Sequence, residues 1–236
     1  MSTQRVYLHT PKLTHVVTQV VAVRPGGFVV SASPFFVGGG GQPMDTGVVS
    51  VDGVNHRIEQ VEVDADDHIW HLSDVPLRIG QSVDLVVDRQ RRRTLSRYHT
   101  ALHVLNTLAL THYDAWITGA QMTEEYARID FAIAWLDPIM LADLEARMNE
   151  VLTAYHPVQY RSVTVAEFAQ RPDLLRTKNV QPPAYKGHVR VVEIEGFDAQ
   201  ACGGTHAEST HEVGPCRIYK SENKGKQNKR LYICFA

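Results

Sequence analysis

His99 and His103 stand four residues apart, and Cys202 and His206 repeat that spacing much later, within Cys-Gly-Gly-Thr-His. On a helix, positions i and i+4 lie on one face about a turn apart, so two imidazoles placed there can chelate a single ion. In the second pair, Gly203 and Gly204 permit a tight backbone on which a sulfur and a ring nitrogen converge. Three imidazoles and one thiolate make the nitrogen and sulfur donor set that zinc prefers. The histidine pair alone carries little, because a chain with 12 histidines places two at this spacing on a solvated or core face as readily. All four residues together favour a metal site.

Positioning such a site takes elements that the rest of the chain must supply. At 236 residues and 44% hydrophobic composition the chain can bury a core without staples. Val16 to Val23, Phe28 to Ser31, Val48 to Val51 and Val83 to Val87 are β-branched runs separated by turn residues, with Arg24-Pro25-Gly26-Gly27 as a hairpin turn. They predict a small β-rich, barrel-like domain over residues 1–90 carrying a glycine-rich segment. The boundary is placed in the charged run Asp88 to Arg93. Thr94 or Ser96 then caps a helix whose stripe is Tyr98, Leu102, Leu105 and Ala109. Asp137 and Pro138 open a second helix with Leu141, Leu144, Met148, Val151 and Tyr155 on one face. Tyr126 to Ile133, Val189 to Ile194, Cys216 to Tyr219 and Leu231 to Phe235 read as strands, so residues 91–236 are expected to form an α+β domain on a mostly antiparallel sheet.

Net charge of -2 removes the strongly basic balance that announces a nucleic-acid binder, so any RNA contact must come from local patches. Three cysteines without framework spacing predict reduced thiols, with Cys216 and Cys234 packing as small apolar side chains. The amino terminus has no apolar signal region, and no stretch reaches the roughly 20 apolar residues of a membrane span. The cytoplasm is the expected compartment. His9, His15, His56, His68 and His71 have no partner spacing and are expected to be surface or structural.

His99-Thr100-Ala101-Leu102-His103 and the later Cys-Gly-Gly-Thr-His resemble the paired HxxxH and CxxxH motifs of alanyl-tRNA synthetase editing domains and their free-standing AlaX relatives. Pro34 to Gly47 is similar to the glycine-rich segment of that family, Val191 to Phe197 to the strand before its cysteine turn, and Lys224 to Arg230 to its final basic turn. The likeness spans nearly the whole chain. It implies one zinc ion on His99, His103, Cys202 and His206, and a mischarged alanine tRNA as partner, with neither DNA nor a membrane involved. It also implies that Gly39, Gly40, Gly41 and Gln42 face the tRNA.

The activity expected from this resemblance is trans-editing, the zinc-assisted hydrolysis of the ester that holds serine on alanine tRNA, with glycine as a second candidate. An alanine pocket cannot exclude glycine and penalises an added hydroxyl weakly, so such errors must be removed afterwards. Gln121, Thr100 and Thr205 are candidates to read the serine hydroxyl, Gln121 first, with a solvated loop amide as its equal alternative. Arg92 and Arg93, within a run that includes Arg89, Arg91 and Arg97, are candidates for phosphate contacts, and Lys224, Lys226, Lys229 and Arg230 form a second basic cluster. Four protein ligands close a tetrahedral zinc, whereas a catalytic zinc keeps a place for water. Either one ligand is loose, with His206 the candidate, or coordination expands with substrate, or the ion mainly orients the tRNA end. The rival from another class is a non-catalytic zinc-containing RNA-binding module; a general metallohydrolase of small esters leaves the basic clusters unexplained.

Overall fold

A computed structural model describes residues 2–177 and 181–236. It divides into two compact units, residues 1–39 with 43–94, and residues 40–42 with 95–236.

The first unit contains β1 (Gln4–Arg5), β2 (His15–Arg24), β3 (Gly27–Val30), β4 (Ala32–Ser33), β5 (Gly47–Val51), β6 (Val54–Ile58), β7 (Gln60–Val63), β8 (Ile69–Leu72) and β9 (Ser82–Val87). Seven of these form an antiparallel sheet in the order β6-β5-β9-β2-β3-β8-β7. Its two edge strands, β6 and β7, are consecutive in the chain and joined through Glu59 alone, so the sheet has to curl to bring its edges together. Among the described residues no ladder joins those edges. A register shift between Val20 and Ala22 lets β2 pair with β9 through its first half and with β3 through its second, the bend a bulge gives a strand. Phe28, Val30, Phe35, Val49, Ile58, Ile69 and Leu85 fill the inside.

The second unit carries most of α1 (Arg89–Tyr113), then β10 (Trp116–Met122), β11 (Ala127–Ala132), α2 (Pro138–Thr153), β12 (Val158–Thr164), α3 (Val165–Ala169), β13 (Ala184–Tyr185), β14 (His188–Ile194), β15 (Asp198–Ala201), β16 (Cys216–Gly225) and β17 (Asn228–Phe235). One antiparallel sheet runs β10-β11-β17-β16 and another β12-β14-β13, with β15 also on β14. Leu95, Leu102 and Leu105 of α1, Leu144, Met148 and Leu152 of α2, and Ile129, Val192, Leu231 and Ile233 of the strands make one core. The chain is thus α+β with mostly antiparallel sheets. No helix among the described residues is long and apolar enough to cross a membrane.

α2 starts as its sequence dictates: Asp137 accepts from the Met140 amide at 2.8 Å and Pro138 fills the first turn. α1 does not. It begins at Arg89 instead of behind Thr94 or Ser96, because the Asp88 carboxylate accepts from the Arg91 amide at 3.0 Å and caps it. The arginine run is therefore the first part of the helix, where cations oppose the macrodipole, which is why it reads as a linker in the sequence.

Candidate metal centre

α1 brings His99 and His103 to one face, ring centroids 5.0 Å apart, and both are buried. The turn after β15 carries Cys202 and His206 to the same place. The Cys202 Sγ lies 3.4 Å from Nε2 of His99 and 3.4 Å from Nε2 of His206. One ligand atom from each of the four residues falls within 4.8 Å of every other. Such a donor set suits one metal ion, and the buried Nδ1 of His103, which has no hydrogen-bond partner, fits the same reading.

Neighbours fix which nitrogen is left to bind in two of the three rings, His206 and His99. Thr100 Oγ1 donates to the Ser96 carbonyl at 3.0 Å, so toward Nδ1 of His206, 3.2 Å away, it must accept. The proton then sits on Nδ1, and Nε2 keeps its lone pair on the side of Cys202. Gln42 does the same for His99: its Oε1 lies 2.9 Å from Nδ1 and also accepts from the Thr205 amide at 3.0 Å. Gln42 Nε2 in turn donates to Thr205 Oγ1 at 2.7 Å, and that hydroxyl pairs with Ser96 Oγ at 2.7 Å.

Burial holds all three imidazoles neutral, the state a ligand needs. Desolvation, helped by the charges of Arg176 and Arg190, lowers His103 to about 3. It lowers His99 and His206 well below the ordinary value, with the neighbouring histidines and Arg190 adding to the effect. Desolvation also pushes the Cys202 thiol up, against the pull of Arg190. A cation among the four donors would reverse that penalty by favouring thiolate.

Two glycines are needed for the close packing. A Cβ on Gly204 would stand 2.2 Å from Cε1 of His99 and 2.8 Å from Oε1 of Gln42. A Cβ on Gly41, whose φ is +87°, would stand 2.3 Å from the carbonyl oxygen of Ala120, where the Gly41 carbonyl accepts from the Met122 amide at 2.8 Å. Gly40 to Gln42 thus run along β10 as part of the second unit.

The cysteine turn is gripped from the β12–β14 ladder. Arg190 NH1 donates to the carbonyls of Cys202, 3.1 Å, and Gly204, 2.6 Å. Its guanidinium stacks on Tyr160, 4.2 Å from the ring centroid, and the Tyr160 hydroxyl reaches the His206 carbonyl at 3.5 Å. Three carbonyls of the turn are therefore held by two side chains on paired strands.

Residues 189–232 match the family model described as the threonyl and alanyl tRNA synthetase second additional domain. An alanyl-tRNA editing protein AlaX-M of Methanosarcina acetivorans is 34% identical over 213 residues, 87% of each chain. One from Saccharolobus solfataricus is 30% identical over 233 residues, 98% of each chain. This chain belongs to the AlaX family. An alanine–tRNA ligase of Thermofilum pendens is 33% identical over 220 residues, which is 92% of this chain and 24% of the ligase.

Within the AlaX frame, the residues singled out from sequence fall into three groups. His99, His103, Cys202 and His206 meet. Gln42, Thr100 and Thr205 surround them, yet both hydroxyls are engaged in holding rings and turn. Gln121, Arg92 and Arg93 are neither among the four donors nor among the hydrogen-bond partners described for them. Gln121 is exposed on β10 and accepts from Arg128 Nε at 2.8 Å. Its neighbour Met122 is buried, and the alternation of the strand turns Gln121 outward. Arg92 is only 3% exposed and belongs to the first unit, where Nε donates to both oxygens of Asp45 at 2.9 and 3.0 Å. It also donates to the carbonyls of Pro11 and Pro34 at 2.6 and 2.7 Å, so it is a structural ion pair and not a phosphate contact. Arg93 is exposed in the same unit, as Gly39 is a loop residue there. Arg190 and Tyr160 were not singled out, and Ser96 was read only as a helix cap. An arginine inside the apolar run Val189 to Val192 was the available signal, since a charge in a buried strand needs a partner.

Proposed function

We propose that this protein hydrolyses the ester of a mischarged alanine tRNA, removing serine and, with it, glycine, with one zinc ion on His99, His103, Cys202 and His206. The supporting observation is the convergence of those four donor groups within 4.8 Å in a chain of the AlaX family, whose relatives are named alanyl-tRNA editing proteins. Bound there, zinc would supply Lewis acidity toward the ester carbonyl. The protein's own part is to hold the ligands. Gln42 and Thr100 keep the Nδ1 protons of His99 and His206 in place, and Arg190 and Tyr160 hold the turn. Burial keeps the imidazoles unprotonated. In the reaction, water adds to the carbonyl carbon, the bond to the ribose oxygen breaks, and that oxygen takes the proton.

The convergence of all four donors also favours a second reading, a zinc-tied RNA-binding module without turnover, since four ligands close a tetrahedral ion. Hydrolysis of seryl- and alanyl-tRNA, both on alanine tRNA, separates the two when run on chelated and zinc-restored protein. Zinc-restored loss of serine with alanine spared supports editing; stable seryl-tRNA beside folded, zinc-loaded protein overturns it. In the His103→Ala variant a catalyst loses turnover but stays folded, whereas a structural site unfolds with its metal.

A further inference from the structure

The β10-β11-β17-β16 sheet packs one face on the core through Met122, Ile129, Phe131, Leu231 and Ile233. Its other face carries two cross-strand rows. Gln121, Arg128, Tyr232 and Lys220 stand opposite one another in one row, and Gly119, Asp130, Arg230 and Glu222 in the next. Between Ile218 and Lys220 the register of β16 shifts. Ile218 pairs with the buried Ile233 and Lys220 with Tyr232, so the inserted Tyr219 and its successor both come out on the open side. Tyr219 is 50% exposed. Its ring lies 6.0 Å from that of Tyr232, which in turn lies 5.7 Å from that of Tyr126. Lys220 Nζ sits 4.9 Å over the Tyr232 ring.

The face itself holds the carboxylates Asp130 and Glu222, but the hairpin that borders it is one-sided in charge. From Arg217 to Arg230 the hairpin carries Arg217, Lys220, Lys224, Lys226, Lys229 and Arg230 against the single carboxylate of Glu222. Lys220 is paired with Glu222 at 2.5 Å and Arg230 with Asp130 at 2.6 Å, while Arg217, Lys224 and Lys226 stand exposed. In a chain of net charge -2 this is a local excess of positive charge beside tyrosine rings. Aromatic rings offer stacking planes to unpaired bases and flanking cations neutralise phosphates, the pairing of features that binds single-stranded nucleic acid.

We infer that this open sheet face is the RNA-docking surface of the protein, with Tyr219 stacking on an unpaired base of the tRNA and Arg217, Lys224 and Lys226 neutralising its phosphates. The inference rests on the proposed editing reaction for the identity of the RNA. None of the face residues contributes to the four-donor cluster.

The test measures binding of deacylated alanine tRNA to zinc-loaded protein across a salt series. An Arg217→Gln/Lys224→Gln/Lys226→Gln variant is expected to bind at least tenfold more weakly and to flatten the salt dependence by about 2 to 3 in log–log slope. Tyr219→Ala is expected to weaken binding at least about fivefold, with Tyr219→Phe restoring it, because stacking needs the ring and not the hydroxyl. In deacylation assays both losses should enter KM and leave kcat at saturating tRNA unchanged. Unaltered affinity and slope in the triple variant, or no difference between Tyr219→Ala and Tyr219→Phe, overturns the surface even if the wild type deacylates tRNA. Conversely, tRNA binding that depends on these residues in a protein that hydrolyses no mischarged tRNA upholds the surface and overturns the editing reading alone.

Discussion

The side-chain amide of Gln42 bridges His99 and Thr205: its oxygen lies 2.9 Å from Nδ1 of the histidine, and its nitrogen donates to Oγ1 of the threonine at 2.7 Å. One residue thereby orients one of the four candidate ligands and pins the turn that carries two of the others. Gln42→Leu removes these two bonds and the one from the Thr205 amide at little change in volume. Partners of this kind are worth about 10- to 100-fold in metal affinity. The variant is expected to fall in that range by competition with a chromophoric chelator. Gln42→Glu keeps the oxygen that accepts from His99 and the Thr205 amide, and it should stay near wild type. Equal behaviour of the two variants would refute the role of the Gln42 oxygen in holding His99 and the Thr205 amide.

Arg190 offers a different test because its contacts are to backbone. Arg190→Met leaves the Cys202 and Gly204 carbonyls without their donor in a buried setting, at a cost of about 1 to 3 kcal/mol each. Arg190→Lys keeps the charge but cannot bridge two carbonyls and stack on Tyr160 together. In cobalt-substituted protein both variants should weaken or shift the thiolate-to-metal absorption as the turn loosens. An unchanged spectrum and unchanged metal release in Arg190→Met would show that the turn holds itself.

Gly204→Ala places a methyl group where the His99 ring stands, 2.2 Å from Cε1. Ring and turn must separate, so zinc affinity should drop at least about tenfold, equivalent to about 1.4 kcal/mol. The first unit, whose core is remote in sequence, should keep its melting transition. Equilibrium dialysis and calorimetry read the two effects, and full zinc affinity in the alanine variant would contradict the described packing.

The pH dependence of the first unit should come from His71. Burial lowers it from 6.5 to about 4, between Phe28 and Phe35 with Ser33 Oγ at 2.8 Å. The unfolded chain takes up this proton near pH 6.5 and the folded chain only near 4, so between those values the unfolded state binds more protons. Stability is therefore full above the upper value and falls by about 3 kcal/mol as pH drops through the window. Urea denaturation followed at Trp70, run from pH 7 to 4, should show that loss, and His71→Gln should lessen its slope. The same slope in both proteins would assign the titration elsewhere.

Much of this was legible in the residues. The four donors showed by type and spacing, and Asp137-Pro138 marked the start of α2 because capping is local chemistry. The outward turn of Gln121 was not legible, since which face of a strand is core depends on partners distant in sequence. Arg92 looked like a phosphate ligand because its neighbours are arginines; only folding reveals Asp45 as its counter-ion. The start of α1 was misplaced for a related reason, as a positive run at a helix N-terminus opposes local expectation and needed the Asp88 cap to be tolerated. The edge strands β6 and β7 lack the β-branched runs that marked β3 and β5, since Asn55, His56 and Arg57 in one and Gln60 and Glu62 in the other break the apolar pattern.

Gly40 to Gln42 belong with residues 95–236, although the chain on both sides of them belongs with the first unit. Severing the protein before Leu95 would therefore yield a fragment with every metal ligand and without the acceptor for His99. Any shortened descendant of this chain would have to recruit a new acceptor or tolerate a slack imidazole. The second unit is thus discontinuous in sequence, and its tripeptide is delivered by a segment that the first unit holds at both ends.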